Sequence, residues 1–596
     1  MWWMLGSHEY SPPGGDRPCL TIAGRWRLWH GPAAPGLGVR HASVPGCDLV
    51  VLGCCPAADA VLERAARGIA AGQVDALEHV GGSRVVLAAR ADELLISGDL
   101  AGQRPVYYPR DSRDGLVAGS HARFLSAGTS RGVDWDWLAA HLLVPGAADV
   151  WWTRTPWRGV KALRPGWTLR IAGDGTTTQV CHVALPAPGP NVEDSATALF
   201  ESLRQAVRSR VSDARCPTAD FSGGLDSSSL AVLASAVAGE VPALTVATEG
   251  VDDVAVAAEA ARQVPTLRHH VIAEPSALLP YADLERTPLT DEPWLGAVTS
   301  ARERWWMQQV CSAGSDLHLS GDGGDGVLLA TPAYLADLVS ARQGRALWRH
   351  AVGWARLRHQ APHALIRAAV ALRGTSYPQA CHNAADQLAK NTRAGRGWAG
   401  LVSWFRVSAA AEWATHEGRA AVARMLREHA ETRAHASVPG RMGIGDSAAF
   451  LALNAFARQQ RLDADVAEQW SVNHHAPYLD DGVVRACWSV PAWQRTTPEQ
   501  AKPLLRRAMN GTVPASVLDR RTKGDYTTPA YQGLRAHADT LRDLLGSSRL
   551  AEAGLFDRNR MMSELDRAIN GHSIRLAAFD AMIGTELWLR QQEQSK

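Results

Sequence analysis

The stretch Thr218-Ala-Asp-Phe-Ser-Gly-Gly-Leu-Asp-Ser-Ser-Ser229 decides the fold of this 596-residue chain. Its first residues are typical of a buried strand, its two glycines permit a tight turn, and its serines open a helix. A helix N-terminus presents unpaired N–H groups and a positive dipole end, so the segment predicts a phosphate cradle. The residues predicted to form it are Ser222, Gly223, Gly224, Asp226, Ser227 and Ser228.

This loop is not a P-loop, because the pattern GxxxxGK[ST] is absent. It offers the carboxylate of Asp226 where a P-loop supplies a lysine. A carboxylate beside phosphates is repulsive unless a cation lies between them, so the loop predicts Mg²⁺. The alternative is a purely structural strand–turn–helix in which Asp226 caps the helix.

A second glycine-rich turn, Leu317-His-Leu-Ser-Gly-Asp-Gly-Gly-Asp-Gly326, repeats the arrangement. Such loops gather at the carboxyl ends of parallel strands, where ligands bind. We therefore expect Asp226 and Asp325 to share one or two Mg²⁺ ions on a triphosphate. The alternative is a structural or calcium-like turn, although the spacing of the aspartates does not fit an EF-hand.

Positive charge is concentrated near the C-terminus, in 502–507 and 519–526. The chain has only five lysines, and Lys502 and Lys523 both lie in this region. Cations placed where charge develops stabilise a transition state, which makes both lysines candidate catalytic residues. Two basic helix ends are the alternative.

The proline-rich segment 184–190 predicts a linker between two domains, 1–185 and 186–596. The first domain is rich in strand patterns, and the second alternates strands with helices, which predicts an α/β fold with a parallel sheet. The region 333–460 is predicted to be mostly helical. The predicted strands are 84–89, 93–97, 106–108, 167–171, 218–221, 243–247 and 317–319, and the predicted helices include 195–210 and 227–237.

Residues 338–385 contain seven arginines and neither Asp nor Glu. A solvated helix face in an arginine-rich protein is one interpretation. A docking surface for an acidic partner or peptide is the other.

Composition excludes several classes of function. Lys and Arg number 62 against 60 for Asp and Glu, and this net charge of +2 argues against nucleic-acid binding by the whole body. No run approaches the length of a membrane span, and the N-terminal residues lack a secretion signal, so we expect a cytoplasmic protein. The nine cysteines are too few for a disulfide framework and are expected to be buried thiols.

Several motifs together resemble the asparagine synthetase superfamily. The segment 222–227 resembles the pyrophosphate loop of N-type ATP pyrophosphatases, and 321–325 resembles the family's second turn. Asp291-Glu-Pro293, Ala476-Pro-Tyr-Leu-Asp480 and Lys502–Arg507 resemble further family segments, as do Gly98–Tyr108 and Leu163–Gly166 in the first domain. The resemblance implies an N-terminal glutaminase-like (Ntn-type) α-β-β-α sandwich and a C-terminal ATP-binding parallel sheet with helices.

Two departures bear on activity. The family's glutaminases use a cysteine at position 2, where this chain has Trp2, and their Asn-Gly-Glu segment is missing. The resemblance therefore implies a first domain that keeps the fold without the activity. Asp322 stands where the family has Glu and the β-lactam synthetases have Tyr.

These features, with the long helical region, most resemble a lasso peptide cyclase. That group adenylates an Asp or Glu side chain of a precursor peptide and joins it to the peptide's N-terminal amine, which implies ATP and Mg²⁺ as cofactors. A leader-binding protein and a leader peptidase are the implied partners. The resemblance assigns catalytic roles to Lys502, Asp322, Lys523 and Arg520, and places adenosine against Val246, Ser320 and Gly321.

Three alternatives stay open. A β-lactam or carbapenam synthetase would share the first step and use an internal amine. Ammonia-dependent asparagine synthesis would need only aspartate and ammonium. A non-catalytic scaffold would bind the precursor peptide and present it to other enzymes.

Overall fold

In the computed structural model, the described residues are 1–8, 10, 18–90, 93–110, 115–126, 132–181, 183–186, 189, 191–248, 253–391, 398–432, 438, 442–520 and 527–594. Lys523 and the rest of 521–526 lie outside them. Among the described residues, none of the helices combines the length and apolarity that crossing a membrane requires.

The N-terminal region is a sandwich of two antiparallel sheets. Its strands are β1 Trp3–Ser7, β2 Leu20–Ile22, β3 Trp26–His30, β4 Gly38–Val44, β5 Cys47–Cys54, β6 Ser83–Arg90, β7 Glu93–Ser97, β8 Tyr107–Pro109, β9 Leu116–Gly119, β10 Val160–Ala162, β11 Trp167–Ala172 and β12 Thr177–Cys181. Its helices are α1 Asp59–Ala70, α2 Ala122–Ser126, α3 Trp135–Leu143 and α4 Ala148–Trp151. The strand orders are β10-β8-β9-β1-β3-β2 and β12-β11-β7-β6-β5-β4.

The two sheets bury one apolar core between them. Leu5 and Leu28 from the first sheet meet Leu87 and Ile96 from the second, because alternate side chains of each strand point to the shared face. The outer face of the second sheet packs on α1, and α2 contacts the first sheet at β8 and β9. The described residues thus form the α-β-β-α layering that the resemblance implied.

The C-terminal region contains a five-stranded parallel sheet. Its strands are β13 Pro217–Asp220, β14 Val241–Ala247, β15 Leu267–Ala273, β16 Leu317–Leu319 and β17 His474–His475, in the order β15-β14-β13-β16-β17. The predicted strands at 218–221, 243–247 and 317–319 are confirmed within a residue or two. The edge strands β15 and β17 were not predicted, because polar residues such as Arg268 and His474 interrupt their apolar pattern.

Helices surround this sheet and make up most of the remaining chain. They are α5 Val192–Val211, α6 Leu225–Ala238, α7 Asp253–Gln263, α8 Ser300–Ser312, α9 Gly324–Leu328, α10 Tyr334–Ser340, α11 Gly344–Arg358, α12 Pro362–Arg373, α13 Tyr377–Ala389, α14 His416–Thr432, α15 Ile444–Gln469, α16 Asp481–Trp488, α17 Ala492–Arg495, α18 Pro503–Ala508, α19 Ala515–Leu518, α20 Thr527–Ala536, α21 Ala538–Gly546, α22 Arg549–Glu552, α23 Arg558–Ile569 and α24 Leu576–Gln594. One face of the sheet packs on α5 and α6, and the other on α8 and the end of α15.

The nine cysteines are free, as expected, but only Cys47, Cys54, Cys381 and Cys487 are buried. The expectation that all are buried thiols was therefore wrong. Cys19, Cys181 and Cys311 are exposed, since they lie at a loop, the end of an edge strand and a helix surface.

Helix α15 carries buried charged side chains at the boundary between the two regions. Arg458 donates to both carboxylate oxygens of Glu292 at 2.6 Å, and Tyr107 of β8 donates to Glu292 Oε1 at 2.7 Å. Arg461 contacts Asp291 at 3.3 Å, and Asp291 in turn accepts the first backbone N–H groups of α2. The Asp-Glu-Pro segment therefore lies at the domain interface rather than beside the glycine-rich loops.

Replacing Arg458 tests how much this interface contributes. The Arg458→Met substitution leaves Glu292 buried without its cation, so we expect the free energy of unfolding to fall by about 3–5 kcal/mol. Denaturant unfolding followed by tryptophan fluorescence measures it.

The matched control is Arg204→Met on α5, whose partner Glu201 is 53% exposed. An exposed pair contributes little, so a change within about 0.5 kcal/mol is expected there. Equal losses in the two variants would contradict the assignment.

Candidate active site

The first glycine-rich loop joins β13 to α6 at the carboxyl edge of the parallel sheet. Gly223 has φ +66°, and a Cβ there would lie 3.0 Å from the backbone nitrogen of Ala257. Ser222 accepts a hydrogen bond from the N–H of Gly224 at 3.3 Å, and its hydroxyl lies 3.0 Å from that of Ser227. The turn thus aims the first N–H groups of α6 outward, as an anion site requires.

Ser228 adds an unsatisfied donor to this loop. Its side chain is fully buried, and its hydroxyl has no hydrogen-bond partner among the residues that the structure describes. A buried hydroxyl without a partner costs free energy, and at the start of α6 an anion bound in the loop would supply the missing acceptor. The neighbouring Ser229 differs, because its hydroxyl donates to the carbonyl of Leu225 at 2.6 Å.

The second loop, between β16 and α9, touches the first. A Cβ on Gly321 would lie 3.0 Å from the nitrogen of Ser227, and a Cβ on Gly324 would lie 2.6 Å from Cγ of Asp226. Only glycine lets the two loops approach this closely. Ser320 and Gly321 thereby lie beside the predicted cradle, and their contact with adenosine stays a prediction.

Lys502 is bonded to both candidate metal ligands. Its ammonium donates to Asp226 Oδ2 and lies 2.5 Å from Asp325 Oδ1. Burial lowers the pKa of Lys502, but the two carboxylates outweigh it, so the pKa lies above its usual value. Its backbone has φ +52°, a conformation that costs a non-glycine residue roughly 1–2 kcal/mol. Such strain is concentrated at functional sites.

Arg520 closes the far side of the first loop. It donates to the carbonyl of Ser222 at 2.9 Å and forms an ion pair with Asp253 on α7. Its guanidinium therefore links the first loop to α7. Lys523, the remaining candidate, lies outside the described residues.

Asp322 lies toward β17 and not toward Asp226 and Asp325, the two carboxylates that Lys502 contacts. Its Oδ2 lies 3.9 Å from Nε2 of His474, and 44% of its side chain is exposed. Burial, with the charge of Asp322, raises the pKa of Asp463 to about 8. Burial also raises the pKa of Glu303 to about 7, helped by Asp322 and Asp220 and opposed by Arg302. Asp322 thus lies close enough to two buried carboxyl groups for its charge to raise their pKa values.

Val246 lies near the carboxyl end of β14, at the same edge of the sheet as the loops. It is partly buried against the cluster of Leu244, Trp306 and Val310. The predicted contact between Val246 and adenosine stays a prediction.

Comparison with protein-family models matches residues 198–590 to asparagine synthase. The chain belongs to this family. Membership supports ATP-dependent formation of amide bonds as the general activity. Comparison with curated proteins finds no match.

Two solved structures overlap this chain weakly. The allosteric regulatory enzyme of purine biosynthesis is 12% identical over 50% of this chain and 66% of that one, with a TM-score of 0.19. Glutamine phosphoribosylpyrophosphate amidotransferase from B. subtilis, complexed with ADP and GMP, is 13% identical over 50% and 67%, with a TM-score of 0.18. At these scores neither neighbour informs the function of this chain.

The residues fit a nucleotide with its metal. Mg²⁺ usually takes one or two carboxylates, with the remaining ligands from phosphates and water. Asp226 and Asp325 supply two carboxylates, and the Lys502 ammonium lies between them as the cation that balances their charge. The described residues hold no cluster of three or more metal-ligating side chains, so phosphates and water would complete the shell.

Sequence reasoning missed the polar side chains that cross the sheet beneath Asp322. Asp220, His318 and His474 occupy positions in or at the ends of β13, β16 and β17. His318 contacts Asp220 at 3.1 Å, and its ring centroid lies 5.9 Å from that of His474. Central strands of a parallel sheet are normally apolar. The polar residues at these strand positions were therefore a signal in the sequence that could have identified them.

Ser228→Ala tests the nucleotide cradle. Because the hydroxyl has no protein partner, stability should be unchanged, whereas the KM for ATP should rise about five- to tenfold, the effect of one lost hydrogen bond. Thermal unfolding and ATP–pyrophosphate exchange measure the two effects. In the control Ser229→Ala, the KM should stay constant. A raised KM in the control alone would place the nucleotide elsewhere.

Proposed function

We propose that the protein is an ATP-dependent macrolactam-forming ligase of the lasso peptide cyclase type. It adenylates an Asp or Glu side-chain carboxylate of a ribosomal precursor peptide and joins it to the peptide's N-terminal amine, releasing AMP and pyrophosphate. The observation that carries the ligase chemistry is the meeting of Asp226, Asp325 and Lys502 between two touching glycine loops.

Each side chain has a role that follows from its position. The N–H groups at the start of α6, with Ser222 and Ser228, bind the departing pyrophosphate. Asp226 and Asp325 would hold Mg²⁺, which neutralises triphosphate charge when bound. Lys502 stabilises negative charge on the acyl-adenylate during both steps. Asp322 accepts the proton that the attacking amine loses.

Positioning contributes at least as much as charge. A peptide held with its amine in line with the adenylate reacts as one molecule, and such effects reach about 7–11 kcal/mol of the barrier. The described part of the segment between β16 and β17 contains seven α-helices, α9 through α15. A helical region of this length favours a peptide over an amino-acid-sized substrate, which is why we prefer this function to a β-lactam synthetase.

The N-terminal sandwich is proposed to have no glutaminase activity. The cavity beside Trp3, Gln103, Ser120 and His121 measures about 20 Å³. That volume holds about one water molecule, and position 2 carries the Trp2 indole where the family's glutaminases have their cysteine. The amine of the peptide, rather than ammonia from glutamine, is the proposed nucleophile.

The arginine-rich helices α11 and α12 supply a candidate partner surface. All seven arginines of 338–385 are exposed, and among them stand Trp348, 59% exposed, and Leu357, 55% exposed. Arg349 lies 3.9 Å from Glu499, in the segment between α17 and α18. Exposed apolar side chains among cations fit an acidic protein, and we propose the leader-binding protein as that partner.

The ligase proposal is tested with purified protein, ATP, Mg²⁺ and the leader-free precursor peptide encoded beside the gene. We expect the peptide to lose one water, matched by AMP and pyrophosphate. Asp226→Asn should abolish both products, because the amide cannot hold the metal, while Arg204→Met should retain them. Mass spectrometry and nucleotide chromatography measure the result.

Other outcomes separate the alternatives. AMP formed without loss of water from the peptide would indicate a different carboxylate substrate, such as that of a β-lactam synthetase. Peptide binding that survives Asp226→Asn, with no nucleotide turnover in any form of the protein, would indicate a scaffold.

Charge reversal tests the partner surface. Replacing Arg345, Arg349 and Arg356 with Glu should weaken binding of the leader-binding protein at least tenfold, and the wild-type affinity should fall as salt is raised. The control reverses Arg204 and Arg208, exposed residues of α5. Calorimetric titration measures both. Equal affinities for all three proteins would refute the surface.

A further inference from the structure

We infer that the N-terminal domain supplies a positioning residue, Gln103, to the ligase site. Gln103 acts through Gln460 and His474 on Asp322, the proposed proton acceptor. This inference rests on the proposed function for the role of Asp322, while the hydrogen-bonded chain itself can be tested without any substrate.

The chain of contacts is continuous across the domain interface. The hydroxyl of Ser83 on β6 donates to Gln103 Oε1 at 2.6 Å. Gln103 Nε2 donates to Gln460 Oε1 on α15 at 2.5 Å. Gln460 Nε2 lies 3.4 Å from Nδ1 of His474 on β17. All four residues are buried, so water does not compete for these contacts.

The direction of each hydrogen bond follows from the one before it. Because Ser83 occupies the oxygen of Gln103, its amide nitrogen faces Gln460. Gln460 then accepts with its oxygen and must present its own nitrogen to His474. An amide nitrogen only donates, so Nδ1 of His474 accepts, and the imidazole proton stands on Nε2.

That tautomer gives Asp322 a donor. Nε2 of His474 lies 3.9 Å from Asp322 Oδ2, with the imidazole 6% exposed and the carboxylate 44% exposed. Burial lowers the pKa of His474, which keeps the ring neutral and its N–H fixed. The Nε2–H therefore points a positive dipole end at the Asp322 carboxylate across 3.9 Å, and this attraction favours the β17 side for that carboxylate.

Catalytic hydrogen bonds often shorten once substrate binds, which the half-exposed Asp322 has room to allow. In the ring-closing step the neutral amine nitrogen attacks the carbonyl carbon of the acyl-adenylate. The C–N bond forms, the C–O bond to AMP breaks, and the proton released by nitrogen passes to Asp322. Gln103, Gln460 and His474 touch no reacting atom, so they are positioning residues.

The first arm of the experiment reads the tautomer of His474 directly. Protein labelled with ¹⁵N-histidine is examined by long-range ¹H–¹⁵N correlation, and the resonances are assigned by their loss in His474→Gln. The wild type should show the Nε2–H form. Gln103→Glu should move the proton to Nδ1, because a carboxylate forces Gln460 to turn and offer its oxygen to His474.

The second arm separates the two chemical steps with the precursor peptide. Gln103→Glu and Gln460→Met should slow ring closure at least tenfold while hydroxamate formation from hydroxylamine, which attacks without a base, stays within twofold. His474→Gln should restore most of the rate that His474→Leu loses, since its amide places an N–H near Nε2. Gln179→Glu, an amide-to-carboxylate change elsewhere in the same domain, is the matched control.

The outcomes are distinct. An Nδ1–H or charged His474 in the wild type, or a tautomer unmoved by Gln103→Glu and Gln460→Met alike, overturns the inference. Equal losses in ring closure and hydroxamate formation overturn it as well, because they indicate general damage. If the wild type turns over no peptide, the proposed function fails while the tautomer arm still decides whether Gln103 controls His474.

Discussion

The site depends on one electrostatic constraint: the carboxylates of Asp226 and Asp325 both contact the ammonium group of Lys502. At about 4 Å, like charges near a protein surface repel by about 4 kcal/mol, so Asp226 and Asp325 require a cation between them. Lys502 meets that need at the cost of a left-handed backbone, and Gly324 meets the steric need by leaving space for the Asp226 carboxylate. When a triphosphate binds with its metal, the metal would balance the two carboxylates in place of the Lys502 ammonium, and the strands would not need to move.

Helix α15 connects the candidate active site with the interface to the N-terminal sandwich. Its residues Asn454, Arg458 and Arg461 bind backbone carbonyls of the N-terminal sandwich, and Gln460 and Asp463 lie toward His474 and Asp322. Because an α-helix places residues three or four apart on one side, the ten residues from 454 to 463 serve both surfaces. A shift of the helix along its axis would disturb both sets of contacts together.

The sequence predicted the parts of the site that have short-range causes. Glycines at 223 and 324 and the aspartates beside them follow from the turn chemistry of two loops, so their placement was foreseeable from spacing alone. The strand ends His318 and His474 were not, since their partners Asp220 and Gln460 lie 98 and 14 residues away. The Asp-Glu-Pro segment was recognised by resemblance, yet only the fold reveals that Asp291 caps α2 and Glu292 pairs with Arg458.

The interface gives the sandwich a structural role that does not depend on any glutaminase chemistry. Arg84 pairs with Asp481 at 3.1 Å, and Asp481 also accepts the N–H of Leu100 at 2.7 Å, both across the domain boundary. Asp481 thus has its charged partner on the other side of the boundary. Removing the sandwich would leave Asp481 without Arg84, and it would take from Glu292 and Arg461 their contacts with the Tyr107 hydroxyl and the Ser120 carbonyl. Breaking a buried ion pair is strongly destabilising. The N-terminal domain is therefore a structural component of the ligase, whichever carboxylate the ligase activates.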